Sequence, residues 1–151
     1  MRLLSTKEKR FRLHMEHERQ KGYLLDEAPN GQWFVSGPSP LDIKEMHGAV
    51  LNLYDRRKGC VSQAKIVHNN AEQTLLIGDI ESEIENKGYG SILMNNIINI
   101  AVMLEADSIT GKLAETDSDH FDKLKYFYEK YGFIVKISDP SKTGTIYRKM
   151  M

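Results

Sequence analysis

Cysteine is almost missing: Cys60 is the only one in 151 residues. A single thiol excludes an internal disulfide and a multi-cysteine zinc site, and it fits a reducing compartment. Cys60 itself reads as a small strand residue. Net charge is missing too, because 21 Lys and Arg balance 21 Asp and Glu. No global field would then draw the chain to nucleic acid or to an anionic membrane, and neither is expected as a partner. No apolar run approaches the roughly 20 residues of a membrane span. The opening "MRLLSTKEKRFRLHMEHERQ" has no apolar h-region of the signal-peptide kind, so the expected location is cytoplasmic. His14, His17, His47 and His68 show no shared spacing, and no metal is expected. Repeats and low-complexity tracts are also absent. What is left is one domain spanning residues 1–151, long enough to bury a core without cross-links.

The residues present divide into regular elements. Ser5 and Glu8 form a capping box ahead of a charged helix running to about Gln20, with Phe11 and Met15 as a narrow apolar stripe. A short strand is expected at Trp33 to Val35, and Ser39 with Pro40 starts a brief helix toward Met46. From Gly48 the pattern alternates. "AVLNLYD", "CVSQAKIVHN" and "TLLIGDIESE", separated by "RRKG" and "NNAEQ", read as an antiparallel three-strand meander. Leu93, Ile97, Ile100 and Leu104 are helically spaced, and Ile92, Ile98 and Met103 extend the apolar surface, so this helix should lie buried across the sheet. "SITGKLAE" is a strand, and "DSDHFDKLKYFYEKYGF" is a helix with Phe121, Leu124, Phe127 or Tyr128, and Tyr131 on one face, ended by Gly132. Two strands, "FIVKI" and "TGTIYRKM", close the chain. The fold class is therefore α/β (α+β): one mixed sheet with helices packed on it.

One stretch carries chemistry. In "IESEIENKGYGSILM" a strand enters a tight turn and then a helix, so the first helical amides lack intrahelical partners. Such amides bind anions, and bare α-carbons at Gly88 and Gly90 would let a phosphate come close, with Lys87 as a nearby cation. A lone G-x-G is as readily a plain turn signal. The Walker pattern G-x-x-x-x-G-K-[ST] is missing, and Leu93 stands where a dinucleotide fingerprint needs its third glycine.

The residues resemble the GNAT superfamily of acyl-CoA-dependent N-acyltransferases. "ENKGYG" is similar to its Gln/Arg-x-x-Gly-x-Gly/Ala signature, with Ile80 five positions ahead, and "YFYEKYGFIV" is similar to its second signature, F/L-Y-x-K-x-G-F. The likeness runs from about Gly48 to Met150 and leaves the first 47 residues unmatched. One position departs: Glu85 replaces the family's Gln or Arg. A carboxylate about 6 Å from a phosphate charge costs about 3 kcal/mol at an effective dielectric of 20. Three or four amide hydrogen bonds to a charged acceptor, each worth roughly 1.5–3 kcal/mol, outweigh that.

The resemblance implies a GNAT-like, mostly antiparallel sheet with helices on its faces, and transfer of acetyl from acetyl-CoA to a primary amine of a small molecule or peptide. It implies that backbone at Gly78 to Ile80 holds the pantetheine arm, while Asn86, Lys87, Gly88, Tyr89, Gly90 and Ser91 hold the diphosphate. Gly78 in mid-strand reads as either a bulge or a simple kink. Tyr128 falls on the general-acid tyrosine, the alternative being a core aromatic, with Tyr126 a weaker substitute. An ammonium near pKa 10.4 must lose a proton before attack. Asp79, Glu81, Glu83 and Glu85 form an acidic run from which Glu81 is chosen as the base. Thr74 occupies the place of the histone-type glutamate, Glu72 lies nearby, and Phe121 replaces a usual Asn, next to His120. A binding module of the same fold with weak or no turnover, and a generic α/β domain, are the competing classes. Acceptor specificity would come from the first helix and the loops near Trp33 and Pro38 to Pro40, and a homodimer through the final strands or the first helix is compatible with the pattern.

Overall fold

The computed structural model describes residues 4–82, 88–113, 121–138 and 143–150, with the side chains of Glu81 and Ser82 outside the description. Local sequence sets the helix starts. Ser5 Oγ accepts from the Glu8 amide at 3.1 Å and opens α1 (Thr6–Gln20), and Ser39 Oγ accepts from Asp42 at 3.2 Å to open the short α2 (Pro40–Glu45). Each cap satisfies an amide that would otherwise have no partner. The third helix, α3 (Tyr89–Met103), and the fourth, α4 (Phe121–Lys130), follow the expected apolar faces.

Eight strands form one sheet: β1 (Leu24–Glu27), β2 (Trp33–Gly37), β3 (Ala49–Asp55), β4 (Gly59–Asn69), β5 (Thr74–Ser82), β6 (Ser108–Leu113), β7 (Ile134–Ser138) and β8 (Thr143–Lys149). Their spatial order is β1-β2-β3-β4-β5-β6-β8-β7. Every neighbouring pair is antiparallel except β5 and β6, which α3 joins as a parallel crossover. Strand β1 was not expected, and β2 extends past Val35 to Gly37.

The core lies between α3 and the sheet. Leu93, Met94, Ile97 and Ala101 of α3 are sealed against Leu53, Ala64, Ile66, Leu75 and Ile109. Burying one such aliphatic side chain contributes about 1.5–3 kcal/mol. Phe121, Tyr128 and Phe133 join the same core, so α4 packs on the α3 side of the sheet. The expectation that Met103 helps bury α3 is corrected: it is 67% exposed, because the helix ends there beyond the covered strands. On the other face, α1 packs on β1, β2 and β4. Phe11 meets Phe34 at 5.2 Å and Phe34 stacks on Tyr54 at 4.8 Å, which fastens the helix down.

Candidate active site

The centre of the sheet opens where its two parallel strands meet. Pairing of β5 with β6 runs from Thr74 opposite Ser108 to Ile77 opposite Gly111 and goes no further among the described residues. Strand β5 continues to Ser82, still paired with β4 as far as Ser62. Among the described residues its last five thus have a strand neighbour on one side only. Backbone amides and carbonyls on the other side have no ladder partner among the described residues, and such groups are ones a ligand can pair with.

Gly78 sits at this divide. Lys65 is opposite Asp79 while Ile66 is opposite Ile77, so Gly78 is the additional residue of a β-bulge. A bulge bends its strand and increases twist, and this one falls where pairing of β5 with β6 stops. A methyl group on Gly78 would touch Lys65 Cβ at 3.5 Å, an ordinary contact. Neither space nor a positive φ requires a glycine at this position. Ile80 follows, half-buried against the core and paired with Ala64.

Above the opening, α3 begins at Gly88, whose φ of 78° is the left-handed conformation that suits glycine. No side chain among the described residues caps this helix, and Gly88 O accepts from Ile92 N at 3.1 Å. The amides of Tyr89, Gly90 and Ser91 therefore precede the first intrahelical bond among the described residues. Gly88 is exposed, and a methyl group there would meet nothing within 4 Å. These features fit an anionic group placed on the helix start.

Gly90 has a second purpose. A methyl group at Gly90 would come within 3.3 Å of Phe127 Cε1, so its bareness admits an aromatic ring from α4. Phe127 in turn meets Tyr128 edge-on at 5.3 Å. Two sequence motifs almost forty residues apart are thereby in physical contact. Tyr128 is 6% exposed and also lies 5.5 Å from Phe133. The Tyr89 ring is buried, and its hydroxyl lies 3.4 Å from Asp55 Oδ2. Burial, then Asp55, raises the Tyr89 pKa.

The other expected residues divide plainly. Glu81 is in register with Gln63, near the end of β5. Asn86, Lys87, Glu83, Glu85 and His120 lie outside the described residues. Thr74 bonds to Glu72 O at 3.2 Å, at the closed end of the β5–β6 pair. An apolar groove of about 280 Å³ borders Pro38, Pro40, Asn96 and Ile100, next to one of the loops expected to set specificity. Sequence reasoning missed Lys65 and Lys112, which flank the opening; their signal was simple alternation with the buried Ala64, Ile66, Gly111 and Leu113.

No family model matches the chain. It is 37% identical over 127 residues to the uncharacterised protein YocC of Bacillus subtilis (strain 168), covering 81% of this chain and 72% of that one. The chain belongs to the family of YocC. Its fold is that of the GNAT acetyltransferases. A GNAT-family acetyltransferase of Staphylococcus aureus Mu50 superposes with a TM-score of 0.57 at 15% identity, over 69% of both chains. A Bacillus subtilis acetyltransferase in complex with CoA gives 0.55 at 19% identity, over 74% of this chain and 82% of that one. In this YocC-family chain the parallel pair, the bulge and the capless helix start are carried by β5, β6 and α3.

Proposed function

We propose that this YocC-family protein is an N-acetyltransferase that passes an acetyl group from acetyl-CoA to a primary amine by direct attack. The observation that carries the reading is the halt of β5–β6 pairing at Ile77 and Gly111, together with amides at the start of α3 that have no capping side chain among the described residues. An extended thioester arm needs backbone groups along a slot and an anion site at one end, and this arrangement supplies both.

In this reading the amides of Gly88, Tyr89, Gly90 and Ser91, with Asn86 and Lys87, hold the diphosphate. Backbone at Gly78 and Ile80 holds the arm and polarises the carbonyl. Tyr128 gives its proton to the departing thiolate. A phenol near 10 and a thiol near 8.5 differ by about 2 kcal/mol, which a concerted step tolerates. Glu81, directly or through water, takes the proton that an ammonium near pKa 10.4 must lose.

Two measurements test it. At 100 times its Kd, acetyl-CoA should raise unfolding stability by about 2.7 kcal/mol, and free thiol should appear only when an amine is supplied. Tyr128→Phe should slow turnover by about 10²-fold, the lower range for a positioned acid. A second reading, a coenzyme-binding module without turnover, is favoured by Tyr128 lying in aromatic packing and by Thr74 at the position of the histone-type base. It predicts the same ligand stabilisation and no thiol from any amine.

A further inference from the structure

Helices α3 and α4 fill one face of the sheet with core, so an amine seeking a carbonyl lodged between β5 and β6 must arrive from the other face. Parallel pairs are usually covered on both faces. Here the face away from α3 carries exposed Leu76 of β5 and exposed Tyr147 of β8, and α1 packs farther along on β1, β2 and β4. Among the described residues this face of the β5–β6–β8 region keeps exposed side chains.

Three cations border that approach among the described residues. Lys112 is the first residue of β6 beyond its last pair with β5, and it alternates with the buried Gly111 and Leu113. Lys65 of β4 has its Cβ beside Gly78, at the bulge. Lys136 of β7 and Lys112 both pair with Thr145 of β8, which places them on either side of it. All three lysines are exposed, and none has an ion-pair partner among the described residues. Asp79, opposite Lys65, is the carboxylate facing this group, with Glu81 assigned above to the amine proton. A polycation would meet ammonium groups spread along this face of the sheet, and like charges repel.

We propose that the acceptor of this site is an amine that also bears a carboxylate, with Lys112 receiving the carboxylate and Lys65 and Lys136 adding to the attraction. This rests on the acetyltransferase reading and specifies its substrate. A carboxylate accepts charge-assisted hydrogen bonds from an ammonium, while an amide of the same shape accepts weaker ones. Specificity thus lies in the second functional group of the acceptor, away from the nitrogen that reacts.

The test compares thiol release from acetyl-CoA with gamma-aminobutyrate, its primary amide and spermidine, alongside acetyl-CoA affinity measured by calorimetry. The expected order has the carboxylate form first by tenfold or more in kcat/KM and spermidine last. Lys112→Gln should raise KM for the carboxylate form about tenfold, the loss of one charged hydrogen bond, with kcat and acetyl-CoA affinity unchanged. Lys112→Arg should restore most of it. Equal use of acid and amide, or preference for spermidine, overturns this inference and leaves the acetyltransferase reading standing. Absence of acetyl-CoA binding overturns both, and binding without release from any acceptor overturns the inference together with turnover. Melting temperature, unmoved at this exposed position, separates a binding loss from misfolding.

Discussion

Glu18 is 3% exposed on a helix whose neighbours are mostly solvated. Tyr54 donates its hydroxyl to Glu18 Oε1 at 2.7 Å, and Lys21 Nζ stands 3.4 Å from Oε2. Without the phenol, a buried carboxylate would lose a donor that water cannot readily replace. Tyr54→Phe should therefore cost about 1.5–3 kcal/mol in urea unfolding, the range for a hydrogen bond to a charged group. The same pair predicts a pH effect. Burial, then the Glu18 hydrogen bond, raises the Tyr54 pKa. An unfolded tyrosine loses its proton near 10, while the folded one holds it longer, so above that pH the folded state binds more protons. The stability this contributes is whole below about pH 10 and is lost as pH rises further toward the folded value. Urea midpoints measured from pH 8 to 11 should fall more steeply in the wild type than in Tyr54→Phe. Parallel slopes would remove Tyr54 from the account. Tyr89, raised by burial and Asp55, adds a fall of the same sign that the variant retains.

At the scale of elements, the start of α3 and the middle of α4 act as one unit because Phe127 occupies the space that Gly90 leaves. Gly90→Val would drive methyl groups into that ring. Overpacking of this kind costs about 1–3 kcal/mol, and displacing Phe127 should disturb Tyr128 beside it. The expected result is lower stability with a larger loss of turnover than of acetyl-CoA affinity. Phe127→Ala in the same chain should recover part of the stability, a non-additivity expected only of residues in contact; strict additivity in thermal unfolding would refute the contact. This coupling also shows where sequence was informative. The caps at Ser5 and Ser39, the α3 face and the break at Gly132 are local patterns of a few residues, and they were legible. The mid-strand glycine at position 78 pointed to a bulge or a kink, and the β4 register resolves it as a bulge. Strand β1 was not legible, because "LLDE" lies on an edge, is mostly exposed and has no alternation to read. The burial of Glu18 depends on Tyr54, 36 residues away, and the role of Gly90 depends on a ring in another helix. Neither partner leaves a local trace.

For the whole molecule, the consequential feature is that the parallel ladder of an eight-stranded sheet stops short among the described residues. Completing it would be the ordinary outcome for two neighbouring parallel strands, yet the bulge at Gly78 bends β5 just where pairing with β6 ceases. At Gly111 the strands are close: a methyl group there would lie 3.0 Å from Ile77 O and equally near Ile146. Among the described residues the strands therefore pass from tight contact to no pairing within a residue or two. Amides of Thr74 to Ile77 engaged with β6 belong to the packed core and should exchange with solvent slowly. Those from Gly78 to Ser82 that do not face β4 have no ladder partner among the described residues and should exchange much faster, since unpaired groups open without global unfolding. If this unpaired stretch is the slot for a thioester arm, saturating acetyl-CoA should slow exchange at Gly78 to Ser82 and at the start of α3 together, while leaving the slow set at Thr74 to Ile77 nearly unchanged. Protection confined to the helix start would mean that the anion site exists without the slot, and a uniform slowing across the chain would mean only that ligand stabilised the fold. Because the three outcomes differ in where protection falls, hydrogen exchange resolved by residue ties the architecture of the sheet to acyl transfer independently of any acceptor.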